Sequence, residues 1–258
     1  MDEKMSLPVM VFDLKAKMAH FRKFYSNSSC LSYFIPPRTT IAGIVAGILG
    51  RSRDEYYEEF SLERCQVTVS PISPVKKIIQ KMNYLHIEDS LKKLGISDYP
   101  SQTPTEIVIP QNIRNRDVGY RIWLHHQEGE ILQKLESLLG STPAYLSKGI
   151  ALALGSAQHL GWIEYLGCLQ GEVIDEQTEA TVSSVIPREV LASLQVEKMK
   201  EGVYYLVKED VPLEFDRQRR ITPKGKGDMI INLNGLPVPA VVKRHVKLSD
   251  GTCICWME

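Results

Sequence analysis

Across 258 residues the chain is 43% hydrophobic and 24% charged, and its 31 Lys and Arg balance 31 Asp and Glu, for a formal net charge of zero. This is the composition of an ordinary folded domain, or of a main domain with a small companion, and it excludes a disordered or low-complexity chain. A protein that finds nucleic acid unaided carries a surplus of cations, so neutrality argues against a solitary RNA binder and leaves room for a subunit with one basic face and other faces docked on partners.

The N-terminal MDEKMSLP lacks the basic start and apolar core of a signal peptide, and the longest apolar run, Ile41 to Leu49, is too short to span a bilayer. A cytoplasmic protein with no membrane partner is the expectation. Strand alternation opens at residues 9–16, with Met10, Phe12, Leu14 and Ala16 on one face. A helix follows in P-P-R-T-T-I-A-G-I-V-A-G-I-L-G. Thr39 or Thr40 can cap it, and Ile41, Ile44, Val45, Ile48 and Leu49 fall at helical spacing. Gly43 and Gly47 share a face that lets another backbone approach, and Gly50 is a natural stop. Residues 64–70 read as a second strand, ended by Pro71 and Pro74, and residues 119–125 as a third. Glu130 to Leu139 reads as a second amphipathic helix with Ile131, Leu135, Leu138 and Leu139 as its stripe, and residues 162–168 as a fourth strand.

The order β-α-β-β-α-β makes the chain α+β, with a ferredoxin-like, RRM-like main domain over residues 1–170. The link from Pro71 to Val118 far exceeds a hairpin loop and predicts a projecting arm, a functional loop or a disordered insert. Residues 171–258 read as a smaller β-rich subdomain with short strands at 181–186, 203–207, 229–233, 239–247 and 252–256, the last two pairing through Ser249-Asp250-Gly251. Cys30, Cys65, Cys168, Cys253 and Cys255 are scattered, and only the last two are close. They read as alternate strand residues rather than a zinc site, so no metal and no cofactor is expected.

RNA recognition needs cations for phosphates, flat side chains for bases, and amides or hydroxyls for base edges. Four segments offer them. His20, Arg22, Lys23 and Phe24 interleave basic and aromatic groups, as a stacking platform or as an aromatic edge of the core. Arg38, Thr39 and Thr40 open a helix, where free N–H groups can meet a phosphate or simply be capped. Gly155, Ser156 and Gln158 form a loop that would let a ligand lie close. The arm carries Lys76, Lys77 and Asn83 outward, and Gln111, Arg114, Asn115 and Arg116 on the return. A later run from Arg217 to Lys226 holds five cations and no acid, as a solvated loop or a phosphate track.

Taken together, these pieces resemble the Cas-five family, the subunit of type I CRISPR Cascade complexes that caps the 5′ handle of the guide RNA (crRNA). The resemblance rests on the extended first strand, the block from Ser32 to Gly50, the excursion ending in Glu106-Ile107-Val108-Ile109-Pro110, the strand bearing Gly119, Arg121 and Ile122, and Leu154-Gly155-Ser156-Ala157-Gln158. It spans the whole chain, is more specific over residues 7–168, and looks most similar to type I-B members. It implies a thumb-like β-hairpin between Pro71 and Val118 and a Gly155 loop near the handle. It also implies contacts with crRNA and with the Cascade backbone and large subunits, target DNA being met only through the complex. Type I-C relatives are metal-independent ribonucleases. His125 and His126, with Tyr120 and Arg121 nearby, hold the ingredients for such cleavage, but no dedicated catalytic set matches. A non-catalytic subunit is the leading expectation, with a crRNA-processing ribonuclease and a pure protein scaffold as the alternatives.

Overall fold

The computed structural model describes residues 6–26, 29–84, 101–114, 116–141 and 144–258. In chain order the first half comprises β1 (Ser6–Ala16), β2 (Phe21–Arg22), β3 (Ser32–Tyr33), α1 (Arg38–Ile48), β4 (Cys65–Pro71), β5 (Val75–Tyr84), β6 (Ser101–Pro110), β7 (Val118–His126), α2 (Gly129–Leu139) and β8 (Gly161–Ile174). The second half adds β9 (Thr178–Val182), β10 (Ile186–Pro187), β11 (Leu191–Leu194), β12 (Leu206–Pro212), β13 (Lys226–Asn232), β14 (Val238–Val242), β15 (His245–Leu248) and β16 (Cys253–Ile254). The chain is thus mixed α/β, strand-rich with few helices. Among the described residues no helix is long and apolar enough to cross a membrane.

Nine strands form one sheet in the order β11-β14-β9-β16-β15-β8-β1-β7-β4. Within it β1 pairs antiparallel with both β7 and β8, and β4 pairs antiparallel with β7. Helix α1 lies in the β1–β4 connection and α2 in the β7–β8 connection. Met10, Phe12, Leu14 and Ala16 are fully buried on the helix side, in one core with Ile41, Val45, Leu135 and Leu139. The opposite face of β1 is covered as well. Leu7, Val9 and Val11 pack with Trp123, Val246, Leu248, Ile254 and Trp256, so the alternating strand expected from its helix-facing side is buried on both. The β1–β8 register shifts between Val11 and Phe12, which skips Leu166 beside Gly167 at φ +129°. A bulge of this kind bends a strand and increases its local twist.

Helix α1 starts at Arg38 with Pro37 at its N-cap and no capping side chain, so neither Thr39 nor Thr40 takes the expected role. Its end is well specified. Gly50 sits at φ +76°, its N–H bonds Gly47 O at 3.0 Å, and the Arg51 N–H bonds Ala46 O at 2.9 Å. That pair of bonds is a Schellman closure, in which glycine is the natural left-handed residue. Of the two small residues expected to let a backbone approach α1, Gly47 does so, whereas Gly43 faces the Tyr56 hydroxyl. A methyl group on Gly149 would sit 2.5 Å from the Gly47 carbonyl, so the two backbones touch.

The excursion between β4 and β7 forms a hairpin, β5 with β6, paired from Val75↔Pro110 to Tyr84↔Ser101 and separate from the nine-stranded sheet. Its root is fastened down. Val75, Ile107, Val108 and Ile109 are buried, and Ala19 and Val108 exchange main-chain bonds of 2.8 and 2.9 Å. Further out Ile78 and Ile79 are exposed.

Residue 170, the expected boundary, falls inside β8. Beyond it β15 continues the sheet against β8, and Val211, Leu213, Met229, Ile231 and Met257 join the core that holds α1 and α2. The single strand expected at 239–247 is two, β14 and β15, with different partners. The Asp-Gly turn forms as expected, with β15 antiparallel to β16 and Gly251 at φ +88°.

Candidate nucleic-acid interface

The sequence candidates separate into an interior set and an exposed set. Arg38 belongs to the interior. It is 1% exposed and donates to the carbonyls of Leu213 (2.8 Å), Phe60 (2.9 Å), Ser61 (2.8 Å) and Cys65 (2.5 Å). Burial lowers its pKa, partly countered by the charges of Cys65 and Glu214. The crevice at this helix start, lined by Arg38, Thr39 and Tyr57, measures about 10 Å³, room for about one water molecule. The Thr40 N–H already bonds Pro37 O at 2.9 Å. The phosphate role expected of Arg38 is therefore corrected: its guanidinium ties together three chain segments, while Thr39 and Thr40 are half-buried beside it.

The Gly155 loop lies at the surface, with Gly155 and Gln158 exposed, but its glycine packs against the chain itself. Gly155 has φ +96°, and a methyl group there would lie 1.8 Å from the His20 carbonyl. The backbone it lets approach is the chain's own, not a ligand's. The His20 N–H bonds Leu154 O at 3.0 Å, and its Nδ1 lies 2.7 Å from Glu106 O. Ser156 Oγ is 2.5 Å from His159 Nδ1, and the two imidazoles lie 6.4 Å apart. Burial holds both histidines below the usual imidazole range, and proximity to His20 lowers His159 further. Gln158 alone of this loop's candidates is exposed without such a partner among the described residues.

Lys23 and Lys77 form a third interior group. Glu209 Oε1 lies 3.1 Å from Lys23 Nζ and 3.5 Å from Lys77 Nζ, and Glu106 is 3.4 Å from Lys77. Lys77 also donates to the Ser32 carbonyl and sits 3.9 Å over the Phe34 ring, and the Phe34 N–H bonds Glu209 Oε2 at 2.9 Å. Burial disfavours the Lys23 ammonium, but the charge and hydrogen bond of Glu209 outweigh it and raise the pKa. These lysines brace the hairpin root against β12; they do not face solvent phosphates. Glu209, which makes this possible, carried no sequence signal, because a lone acid in a strand reads as solvated.

The exposed set lies around this brace. Phe24 and Tyr25 stand out from the surface, 42% and 53% exposed, edge to face at 5.2 Å, with Lys226 Nζ 4.7 Å over the Phe24 ring. Phe21, by contrast, is core. Arg22 is exposed and bonds Ser26 O at 3.2 Å. On the hairpin Lys76 is half-buried, while Lys81 and Asn83 are exposed. Gln111, Arg114 and Arg116 lie at the hairpin's root, between β6 and β7, rather than along it. Arg114 and Arg116 are exposed, and neither has an ion-pair partner among the described residues. Arg116 borders an open hollow of about 290 Å³ with Lys15, Ser73 and Gly119. Asn115 lies outside the described residues.

The late basic run is largely neutralised. Arg217 pairs with Glu58 at 2.7 Å, Arg219 with Asp54 at 3.5 Å and Arg220 with Asp216 at 3.2 Å. Lys226, over Phe24, is the member that joins the exposed set. His126 is 1% exposed with both ring nitrogens occupied, Nε2 2.8 Å from Glu59 O and Nδ1 accepting from Glu128 N at 3.0 Å. His125 Nδ1 is 2.7 Å from Pro8 O.

No protein-family model matches this sequence, and no curated protein matches it. Solved structures do. A CRISPR protein from Archaeoglobus fulgidus superposes with a TM-score of 0.54 at 13% identity, covering 96% of this chain and 98% of that one. A chain of a CRISPR RNA-guided surveillance complex gives 0.45 at 13% identity over 90% and 91%, and a Cas protein 0.42 at 11% over 89% and 98%. The Archaeoglobus likeness runs over nearly the full length of both chains, and what it establishes is the fold: a mixed α/β, mostly stranded architecture shared with a CRISPR protein.

Proposed function

We propose that this chain is a non-catalytic, RNA-binding subunit of a type I CRISPR Cascade complex, built on a ferredoxin-like main domain and capping the 5′ handle of crRNA. The observation that carries the reading is the hairpin β5–β6. It stands outside the nine-stranded sheet, is braced at its root by Lys77 against Glu209 of β12, and has exposed Arg114 and Arg116 beside that root and Phe24 and Tyr25 on the neighbouring surface. Exposed cations next to exposed rings suit a single strand, whose phosphates need charge and whose bases stack. Two further observations support it: the antiparallel order β8-β1-β7-β4 with a helix in each crossover, and the fold shared with a CRISPR protein. A net charge of zero fits a subunit that docks other faces on the backbone and large subunits and reaches target DNA only through the assembly. A binding role rather than ribonuclease action accords with the structural engagement of His126.

The test is retention of guide RNA, with and without its repeat-derived 5′ handle, by the purified protein and by the reconstituted complex. Handle-dependent retention is expected, and replacing Arg114 and Arg116 by Ala should weaken it by about 1–3 kcal/mol. Equal retention of both RNAs would overturn the handle assignment. An unchanged affinity in the double variant would remove the hairpin root from the interface, and metal-independent cleavage of repeat RNA would move the reading to an enzyme.

A further inference from the structure

The two outer edges of the hairpin β5–β6 are treated differently. On β6 the main chain of Val108 exchanges bonds with Ala19, the Glu106 N–H bonds Cys30 O at 2.9 Å, and Pro104 O accepts from the Cys30 N–H at 2.9 Å. Even-numbered residues of β6 therefore point away from β5, and the register makes the odd-numbered residues of β5 point away from β6. Val75 shows this directly, its N–H reaching Leu233 O at 3.0 Å. Further out, Lys77, Ile79, Lys81 and Asn83 aim their N–H and C=O the same way, and among the described residues these groups have no main-chain partner. The β4 edge of the large sheet is not left so: Val67 O and Val69 O accept from the Met257 and Val185 N–H groups, both at 2.9 Å.

This stretch of β5 also lacks most of the devices that blunt an edge. It holds no proline, and its pairing with β6 runs from Val75 to Tyr84 without a register shift. Of its lysines, Lys77 turns to Glu209 and Glu106. Ile78 and Ile79 are 40% and 72% exposed, the second more than any other large hydrophobic side chain among the described residues. Neighbouring strand residues point to opposite faces, so an isoleucine stands on each face of the open edge. A two-stranded ribbon is marginal in water, and a third strand completes it.

We propose that the open edge of β5 takes up an extended segment of a partner protein as a third strand, with β-branched residues opposite Ile78 and Ile79 and a carboxylate opposite Lys81. Main-chain pairing supplies the contact, and the side chains select. The choice of partner follows from charge. β5 holds Lys76, Lys77 and Lys81 and no acid. Glu106, the acid across from Ile79, is bound to Lys77 and to the Ser32 N–H. A second copy of the strand laid antiparallel about Ile79 would set Lys81 opposite Lys77, and like charges facing each other destabilise a pair. Self-pairing is thereby disfavoured and an acidic strand favoured. The inference needs the hairpin but not its RNA reading, which draws on Arg114 and Arg116 at the root.

The experiment uses the full-length protein and three synthetic peptides: Thr-Glu-Thr-Val-Val-Thr, the same with Lys for Glu, and the first N-methylated at alternate residues, which blocks strand pairing and keeps the charge. Amide exchange is read by NMR. Without peptide, the Ile79 and Lys81 N–H groups should exchange fast and those of Ile78 and Gln80 slowly. Slow exchange at Ile79 and Lys81 as well would mean that the chain covers its own edge, and overturns the proposal. The Glu peptide at about ten times its Kd should slow exchange at Ile79 and Lys81 about tenfold, and the N-methylated peptide should leave it unchanged. Lys81→Glu should reverse the preference to the Lys peptide. Ile79→Thr, at an exposed position, should weaken binding about threefold, the scale of one cross-strand pair. No added protection with the Glu peptide, or equal protection with its N-methylated form, overturns the proposal. So does the same protection by short single-stranded RNA, which assigns the edge to RNA, or by a concentration-dependent dimer, which assigns it to a second copy. Arg114→Ala and Arg116→Ala leave this readout unchanged, so its failure is distinguishable from failure of the RNA reading.

Discussion

At the scale of single residues, the groups that most resemble RNA ligands by type are those the fold has turned inward. Arg38 is the clearest case. Replacing it with Ala would strip a donor from four main-chain carbonyls at once, and the expected loss is on the order of 3–5 kcal/mol. Urea denaturation measures this, and a loss below about 1 kcal/mol would mean that the carbonyls find other partners. Gly155 makes a similar point about backbone. At φ +96° and in contact with the His20 carbonyl, Gly155→Ala should cost about 2–3 kcal/mol from strain alone, visible as a lower Tm in protein free of RNA. The histidines set a pH dependence. His20, His125, His159 and His245 are each lowered, burial being the first cause. In the unfolded chain they titrate near about 6.5, so below that value the unfolded state binds more protons than the folded one. Their contribution is fully present above about pH 6.5 and is lost as pH falls through the depressed folded values. Urea midpoints measured between pH 5 and 8 should decline on the acid side; a flat profile would contradict the burial of these rings.

At the scale of elements, the hairpin β5–β6 depends on a carboxylate contributed from far along the chain. Glu209 in β12 serves Lys23, Lys77 and the Phe34 N–H together. Glu209→Gln removes the charge while keeping the shape, leaving the largely buried Lys23 ammonium without its carboxylate and Lys77 with Glu106 alone. The expected cost is roughly 3 kcal/mol, and it should appear locally as faster amide exchange in residues 75–84 and 101–110. Exchange that rises uniformly across the protein would mean the network stabilises the fold in general rather than the arm. Helix α1 shows an element whose end is encoded locally and whose start is not. Gly50 closes it by a main-chain motif, whereas its first residue, Arg38, is fixed by contacts to Leu213 and Cys65.

At the scale of the molecule, one sheet runs from β4 to β11, and the residues after 170 contribute both to its pairing and to the core beneath α1 and α2. A fragment ending at residue 170 would cut β8 and leave Val9, Val11 and Trp123 without the cover of Val246, Leu248 and Trp256. Exposing that face forfeits about 1.5–3 kcal/mol for each large side chain. Such a fragment should show no cooperative melting by circular dichroism, and a sharp transition near that of the whole chain would count against a shared core.

The sequence by itself determined the elements whose pattern is local. The strands near 9–16, 64–70, 119–125 and 162–168 and both helices follow from periods of two and 3.6 in side chains that must leave water, and the Asp-Gly turn follows from the freedom of Gly251. Tertiary structure alone decided what each face of those elements meets. That β1 is buried on both sides, that residues 239–247 divide at Lys243 and Arg244 between two partners, and that Phe24 is exposed while Phe21 is core all depend on chain segments distant in sequence. The same holds for charge. Arg38, Lys23 and Lys77 look like phosphate ligands in a string of letters, because a cation's type is written locally but its partner is not. Carbonyls and carboxylates up to 186 residues away, as from Lys23 to Glu209, reach them only once the chain has closed on itself.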